Sequence, residues 1–153
     1  MFKKVKNGKL PIAQTKFSAG YDCFARESVV IEPNQIQKIP LGFRIDSSKI
    51  ETSLKMQLYI QLSLRSSLAS RGLIIPNGVG IIDIDYEDEI SLLVYNTNKK
   101  VFKVKKGDRV GQILILSHYG YRIFGNYLRK QSARVGGFGS TDAVQEVVNE
   151  KQD

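Results

Sequence analysis

The chain has 153 residues, of which 42% are hydrophobic and 25% charged, as expected for one soluble domain that buries about 70% of its unfolded surface. A single cysteine, Cys23, excludes an intramolecular disulfide framework, and the absence of any run of about eighteen apolar residues argues against a membrane partner. We therefore expect a cytoplasmic protein, or a nuclear one if the source is eukaryotic or viral. The 23 Lys and Arg residues exceed the 15 Asp and Glu residues by eight, which favours anionic ligands such as nucleoside triphosphates or nucleic acid.

Alternating apolar residues predict short strands along most of the chain. The alternation is clearest over residues 56–65, and turn-forming pieces such as Glu32-Pro33-Asn34 and Lys106-Gly107-Asp108 separate the other runs. The only helical turn is expected at 66–71, where small and polar residues surround Leu68. The pattern predicts an all-β sandwich or barrel with strands at 28–31, 35–39, 56–65, 89–95, 101–104 and 109–116.

The composition changes near the C-terminus, where residues 129–140 are rich in small and basic side chains. Glycines on both sides of Phe138 leave this segment little to bury, so we expect a β domain at 1–130 and a mobile arm at 131–153. An aromatic ring between glycines is well suited to stack on a flat ligand.

Five short stretches combine acids, arginines, hydroxyls and glycines in ways that suit phosphate chemistry. Each stretch alone is a weak signal, and the last one does not match the Walker pattern because no lysine follows its glycines. The stretches are AGYD at 19–22, RSSLA at 65–69, NGVGIIDIDYEDE at 77–89, GDRVGQ at 107–112 and RVGGFGST at 134–141.

Taken together and in this order, the five stretches resemble the five motifs of the homotrimeric dUTPase family. The resemblance implies a jelly-roll-like β fold and a homotrimer whose three active sites each draw residues from more than one subunit. It also implies Mg²⁺-assisted hydrolysis of dUTP to dUMP and pyrophosphate, which limits uracil in DNA and supplies dUMP for dTMP synthesis. Nucleic acid is not the expected partner, because strand packing accounts for the tyrosines and arginines after residue 118 about as well as base stacking does.

The resemblance assigns roles to individual positions in the acidic third stretch. Asp83 corresponds to the catalytic aspartate, and a fixed carboxylate can orient a water molecule and accept its proton as it attacks the α-phosphorus. Tyr86 corresponds to the tyrosine that lies under the deoxyribose and excludes a 2′-hydroxyl. Asn77 and Val79 lie in the hairpin that corresponds to the uracil pocket.

The remaining assignments concern the triphosphate and its metal ion. Asp22 corresponds to an acid that reaches Mg²⁺ through water, which suits an ion that loses its waters reluctantly. Phe138 corresponds to the ring that stacks on uracil. The positions that correspond to phosphate-contacting or other substrate-binding residues are Arg65, Ser66, Ser67, Gln112, Arg134, Gly139, Ser140 and Thr141.

Several residues depart from the family pattern. Glu87-Asp88 replaces a common Arg-Gly pair, and we interpret it as a solvated hairpin tip rather than a metal site. Ser67 and Asp142 replace glycines, and Arg134 lies closer to Phe138 than is usual. We expect Asp108 and Arg109 to form a buried structural pair, and Cys23 to be a small buried hydrophobe.

Two alternatives stay open at this point. The related dCTP deaminase group shares the fold, but by our register the position of its proton-shuttling glutamate is Leu93. A non-catalytic trimer that binds nucleotide, protein or nucleic acid is the other alternative, and it would need none of the catalytic residues.

Overall fold

The structure is a computed structural model that describes residues 1–55, 57–120 and 122. It is built from short antiparallel strands, as the all-β prediction requires. The strands are β1 (Phe2–Lys4), β2 (Tyr21–Phe24), β3 (Val29–Ile31), β4 (Ile36–Pro40), β5 (Phe43–Ile45), β6 (Leu58–Leu64), β7 (Leu73–Ile74), β8 (Gly80–Asp83), β9 (Ser91–Asn96), β10 (Phe102–Val104) and β11 (Arg109–Ser117).

The largest sheet has four strands in the order β2-β11-β6-β8. In β6, Ile60 and Leu62 are buried while Tyr59, Gln61 and Ser63 are only half-buried, because successive side chains of a strand point to opposite faces. The register places Ile60 opposite Ile82 and Ile115, and Gln61 opposite Ile81 and Leu114. One face of this sheet therefore packs on the core, and the other face points away from it.

A second sheet has the order β4-β9-β7, and the described part of the chain also contains two strand pairs, β1-β5 and β10-β3. All pairs are antiparallel. In the β3–β10 pair, Phe102 lies opposite Ile31 and Val104 opposite Val29, and all four of these side chains are buried. Most of the buried aliphatic and aromatic side chains form one hydrophobic cluster, and partly buried residues such as Phe2 of β1 and Ile82 of β8 pack against it.

Asn96 is a fully buried polar residue at the end of β9. Its Nδ2 donates to the carbonyls of Ile31 and Lys100, both at 2.9 Å, and its Oδ1 accepts from the backbone N of Asn98 at 3.0 Å. Burying an amide is costly unless it is hydrogen-bonded, and here both ends of the amide are bonded. Asn96 thereby fixes the loop between β9 and β10.

Gly8 and Gly42 touch each other where the N-terminal segment crosses the start of β5. A Cβ placed on Gly8 would lie 1.8 Å from the Gly42 carbonyl oxygen, and Gly42 has a φ of +78°. Val5 N donates to the same Gly42 oxygen at 3.1 Å. The close contact therefore requires glycine at position 8.

Six predicted strands are found, with ends that differ from prediction by at most two residues. The helical turn expected at 66–71 is present as α2 (Ser66–Ala69), but the expectation that it would be the only one was wrong. A 3₁₀ turn covers Ser47–Lys49, and α1 covers Thr52–Lys55. None of the helices in the described part of the chain has the length and apolar character needed to cross a membrane.

Candidate active site

Asp22 brings three of the five sequence stretches together. Its side chain is 1% exposed, and its Oδ1 lies 3.3 Å from Arg65 Nε and accepts from Gln112 Nε2 at 3.1 Å. Its Oδ2 accepts from Arg109 Nη1 at 3.1 Å. The register of β2 with β11 sets Asp22 opposite Gln112, so the sheet itself creates the cluster Asp22–Arg65–Arg109–Gln112.

This cluster has one buried anion and two cations. A buried carboxylate is tolerable when cations and hydrogen bonds replace its water, and Arg65 and Arg109 supply that replacement. The side chains of these arginines are 23% and 44% exposed, so their free N–H groups can still reach a ligand. The cluster keeps a net positive charge and is suited to bind phosphate.

The predicted buried pair of Asp108 and Arg109 was wrong. Asp108 is exposed, and its Oδ2 accepts from the backbone N of Lys105 at 2.8 Å in the turn before β11. Arg109 pairs with Asp22 instead. Sequence reasoning thus missed Arg109 as a member of the site, although an arginine at the start of the strand that carries Gln112 was a usable signal.

Arg65, Ser66 and Ser67 lie where β6 passes into α2. Arg65 N donates to Val110 O at 3.1 Å, and its carbonyl accepts from the backbone N of Leu68 at 2.9 Å. Leu68 is buried and anchors the turn, while Ser66 and Ser67 are exposed. The two hydroxyls are therefore free to meet solvent or ligand beside Arg65.

The turn at 77–79 lies between β7 and β8 and is exposed. These two strands belong to different sheets, so the predicted hairpin is not formed here. Gly78 has a φ of +78°, which favours glycine, and its N donates to Ile75 O at 3.1 Å. Val79 N donates to Asn77 O at 3.0 Å, and the Val79 side chain is 38% exposed. Asn77 and Val79 thus lie on an exposed turn, where a small ligand can reach their backbone groups.

Asp83 is the last residue of β8, and it lies opposite Tyr59 of β6. Its side chain is half-buried, and its carbonyl accepts from Tyr86 N at 3.1 Å, which closes a turn. Tyr86 is half-buried and packs against the core. Burial raises the pKa of the Tyr86 phenol, and the nearby Asp88 and Glu89 carboxylates raise it further.

The other acids of the third stretch have separate roles. Glu87 and Asp88 are exposed, as predicted. They do not lie at the tip of a hairpin, because they join β8 and β9, which belong to different sheets. Glu89 is half-buried, and its Oε1 accepts from Gly42 N at 2.8 Å and pairs with Arg26 Nε at 2.9 Å. Glu89 therefore fixes the connection between β8 and β9 against the segment that carries Gly42 and against Arg26.

The described site residues form two groups at opposite ends of β6. Asp83 lies opposite Tyr59, whereas Arg65 follows the other end of the strand. The six residue steps from Tyr59 to Arg65 correspond to about 20 Å at about 3.3 Å per residue. Within one chain, Asp83 therefore cannot act on a phosphate that the Asp22–Arg65–Arg109–Gln112 cluster holds.

The described side chains provide few free ligand atoms for a metal ion. The described residues contain no group of three or more His, Cys, Asp or Glu side chains suited to a metal. An ionised carboxylate has about four acceptor positions, and Asp22 uses three of them for Arg65, Gln112 and Arg109. The residues present would fit an Mg²⁺ ion that is bound mainly by the substrate and by water, and Asp22 would hold it indirectly, through its remaining acceptor position.

Five predicted site residues, Arg134, Phe138, Gly139, Ser140 and Thr141, lie outside the described residues, as does the arm at 131–153.

The fold and the cluster define an all-β protein with an anion-binding site, and comparison with known proteins identifies its family. The dUTPase family model matches residues 6–142, and the chain belongs to the dUTPase family. A deoxyuridine 5′-triphosphate nucleotidohydrolase of Desulfitobacterium hafniense is 38% identical over 91% of each chain. One of Helicobacter pylori strain Shi470 is 33% identical over 88% of this chain and 90% of its own.

Solved structures show the same fold. The dUTPase of Streptococcus mutans matches with a TM-score of 0.66 and 24% identity over 77% of this chain and 95% of its own. A mutant dUTPase from Staphylococcus aureus phage phi11, solved with a structural Mg(II) ion, matches with the same TM-score and 19% identity over 91% and 97%. The predicted jelly-roll-like fold is thus confirmed.

Proposed function

We propose that this chain is a dUTP diphosphatase that hydrolyses dUTP to dUMP and pyrophosphate. The observation that carries the proposal is membership of the dUTPase family across residues 6–142. That range contains both Asp83 and the Asp22–Arg65–Arg109–Gln112 cluster. The half-buried carboxylate and the positively charged cluster are the two chemical elements that hydrolysis of a triphosphate needs.

In this proposal Asp83 performs the proton chemistry. Its carboxylate orients a water molecule for in-line attack on the α-phosphorus and accepts the proton as the bond to oxygen forms. Arg65 and Arg109 bind the phosphate oxygens, and Ser66, Ser67 and Gln112 are placed to add hydrogen bonds. Mg²⁺ bound with the triphosphate would neutralise charge on the leaving pyrophosphate.

Tyr86 and the exposed turn at 77–79 supply selectivity in this proposal. Tyr86 supports the deoxyribose and leaves no space for a 2′-hydroxyl, while the backbone near Asn77 and Val79 reads the edge of the uracil ring. A phenol with its ordinary pKa of about 10 is uncharged at neutral pH, and burial only raises the pKa of Tyr86, so its hydroxyl does not repel the anionic substrate.

We further propose that the active form is a cytoplasmic homotrimer. The separation of about 20 Å along β6 requires a second copy to bring a cluster next to each Asp83. The outward face of the four-stranded sheet also presents apolar surface, since Ile81 is 68% exposed. Light scattering after gel filtration should give three times the 17.2 kDa of one chain, and a monomeric mass with full activity would exclude this arrangement.

The direct test incubates the pure protein with Mg²⁺ and, in separate reactions, dUTP, dCTP, dTTP and UTP. Pyrophosphate released from dUTP alone is the expected result, and Asp83→Asn should abolish it while the circular dichroism spectrum stays unchanged. Ammonia from dCTP would identify a deaminase instead. No product from any nucleotide would support the non-catalytic alternative.

A further inference from the structure

A cluster of lysines lies outside the proposed active site. Lys99, Lys100, Lys103, Lys105 and Lys106 fall within eight consecutive residues that contain no Asp or Glu. All five are exposed. We call this surface the basic stripe.

The strand β10 gives the basic stripe its shape. Phe102 and Val104 face the core, so Lys103 points outward, opposite Val30, which is 53% exposed. Asn96 fixes the preceding loop from inside through Lys100 O and Asn98 N. From Lys99 to Lys106 the stripe extends for up to about 23 Å at about 3.3 Å per residue.

A groove with a volume of about 360 Å³ lies at the Lys99 end of the stripe. It adds a sixth cation, because the Arg71 guanidinium lies 4.6 Å from the centre of the Phe102 ring. A guanidinium stacked on a ring keeps its N–H edge available for hydrogen bonds. The groove is lined by Arg71, Asn98, Lys99, Lys100, Val101 and Phe102.

These six cations are not neutralised by neighbouring acids. Among the residues that the structure describes, none of them forms an ion pair with a carboxylate. The nearest acid in sequence, Asp108, uses its Oδ2 to accept from the backbone N of Lys105. A second acid, Glu32, directly follows the β3 residue that lies opposite Phe102, but it forms no ion pair with these cations in the described part of the chain. The stripe therefore concentrates positive potential, which attracts polyanions.

We propose that the basic stripe and its groove bind the phosphodiester backbone of nucleic acid, a function separate from dUTP hydrolysis. An array longer than one nucleotide fits a chain of phosphates better than a single phosphate. The exposed apolar side chains within it are the short Val30 and Val101, which gives little to insert into a lipid surface. The sequence had suggested no nucleic-acid partner, but that expectation considered the tyrosines and arginines after residue 118 rather than this stripe.

The test compares two variants with equal loss of charge. Lys99→Gln/Lys100→Gln/Lys103→Gln alters the stripe, and Lys3→Gln/Lys4→Gln/Lys6→Gln removes three exposed lysines near the N-terminus. Binding of a fluorescein-labelled single strand of about eight nucleotides, within the usual range for single-strand-binding domains, is followed by anisotropy at several salt concentrations. The full-length parent should bind with a Kd of about 10⁻⁴–10⁻⁶ M at physiological salt.

The logarithm of the association constant falls linearly with the logarithm of the salt concentration, and each lost phosphate contact makes this slope less negative by about 0.7 for single strands. The stripe variant should therefore lose about 2 units of slope, and the control variant should keep the slope of the parent. Both variants should hydrolyse dUTP at the rate of the parent, so the result does not depend on the proposed enzyme activity. A duplex version of the strand shows whether the phosphodiester backbone is recognised in single- or double-stranded form, and either preference supports the proposal.

Four results would overturn the proposal. These are absence of binding at low salt, equal loss in both variants, displacement of the strand by a non-hydrolysable dUTP analogue, and equal or tighter binding to polyglutamate or to anionic lipid vesicles. The third would place the nucleic acid in the active site, and the fourth would assign the stripe to acidic proteins or membranes.

Discussion

Asp83 and Arg65 lie near opposite ends of strand β6, one beside Tyr59 and the other directly after Leu64. The separation is about 20 Å, whereas reacting groups must approach to about 3–3.5 Å. Under the proposed trimer, a complete site would take Asp83 from one subunit and Arg65 from another, and this arrangement can be tested by mixing subunits.

Asp83→Asn and Arg65→Ala should each abolish dUTP hydrolysis when every subunit carries the change. Refolding the two inactive proteins together in equal amounts should restore activity to about a quarter of the parent value, because random closed trimers pair an intact Asp83 with an intact Arg65 at that frequency. Steady-state pyrophosphate release measures the recovery.

A mixture of Asp83→Asn with parent protein provides the control for refolding yield. Absence of any recovery in the mixed mutants, despite normal trimers, would place both residues in one subunit's site and contradict the register-based separation.

The Asp22 carboxylate holds two arginines and a glutamine, so Asp22→Asn should weaken both the fold and substrate binding. We expect a loss of about 1–3 kcal/mol in the free energy of unfolding, because the arginines lose their counter-charge but remain partly hydrated. Urea titration measures this loss, and KM for dUTP should rise.

Asp108→Asn is the matched control for that experiment, since Asp108 is exposed and accepts a bond from Lys105 N. Equal effects of the two substitutions on KM would remove Asp22 from its proposed role in organising the phosphate site.

Tyr86 is expected to exclude ribonucleotides. Tyr86→Ala should reduce the ratio of kcat/KM for dUTP over UTP by about tenfold or more, since a steric contact of this kind contributes about 1–3 kcal/mol. Tyr86→Phe keeps the ring and should keep the ratio. Should both variants discriminate like the parent, the 2′-hydroxyl must be excluded elsewhere.

Cys23 should make stability fall at alkaline pH. Burial raises the pKa of its thiol from 9.0 to about 12, and the charge of Asp22 adds to the shift. A group with a raised pKa in the folded state stabilises the protein fully below its unfolded pKa, and this contribution is lost as pH rises through the folded value.

Between pH 9 and pH 12 the free energy of unfolding should therefore decrease by up to about 1.4 kcal/mol per pH unit through this group. The Cys23→Val variant should show a smaller decrease, and the thiol should react with Ellman's reagent only after unfolding. Rapid labelling of the native protein would show that the thiol is accessible.

Gly8→Ala should destabilise the protein by about 1–3 kcal/mol, the usual range for overpacking, because the new methyl group would overlap the Gly42 carbonyl. Gly78→Ala is the comparison, since a Cβ there meets no atom within 4 Å and only the backbone conformation is strained. Thermal unfolding should rank Gly8→Ala as the more harmful change.

The longer strands could be predicted from the sequence because their alternation extends over enough residues. In β6, for example, the apolar positions that include Ile60 and Leu62 continue over most of the strand. Five strands in the described part of the chain, β1, β2, β5, β7 and β8, are not among the predicted ones, because two to four residues are too few for a period of two to be recognised. Their positions depend on partners far away in the sequence. The three-residue strands β3 and β10 were predicted because turn-forming residues follow each of them in the sequence.

The members of the site were largely predictable, but their arrangement was not. Family resemblance identified Asp22, Arg65, Gln112 and Asp83 individually. The pairing of Arg109 with Asp22 depends on the register of β2 with β11, and the distance between Asp83 and Arg65 depends on the register of β6 with β8. Neither register can be read from local sequence.

The buried Asn96 amide has a practical consequence for redesign of the molecule. Asn96 holds the backbone of the loop after β9 together with the side chains of Thr97 and Asn98, which donate to Gly72 O and Arg71 O. The side chains of the exposed Lys99 and Lys100 make no such bond within the described part of the chain, so they can be exchanged without rebuilding the loop backbone. Substitutions at these two lysines would change the isoelectric point without unfolding the loop, but a tag or a solid support attached there would cover the basic stripe, and Asn96 itself is the residue that such engineering should leave unchanged.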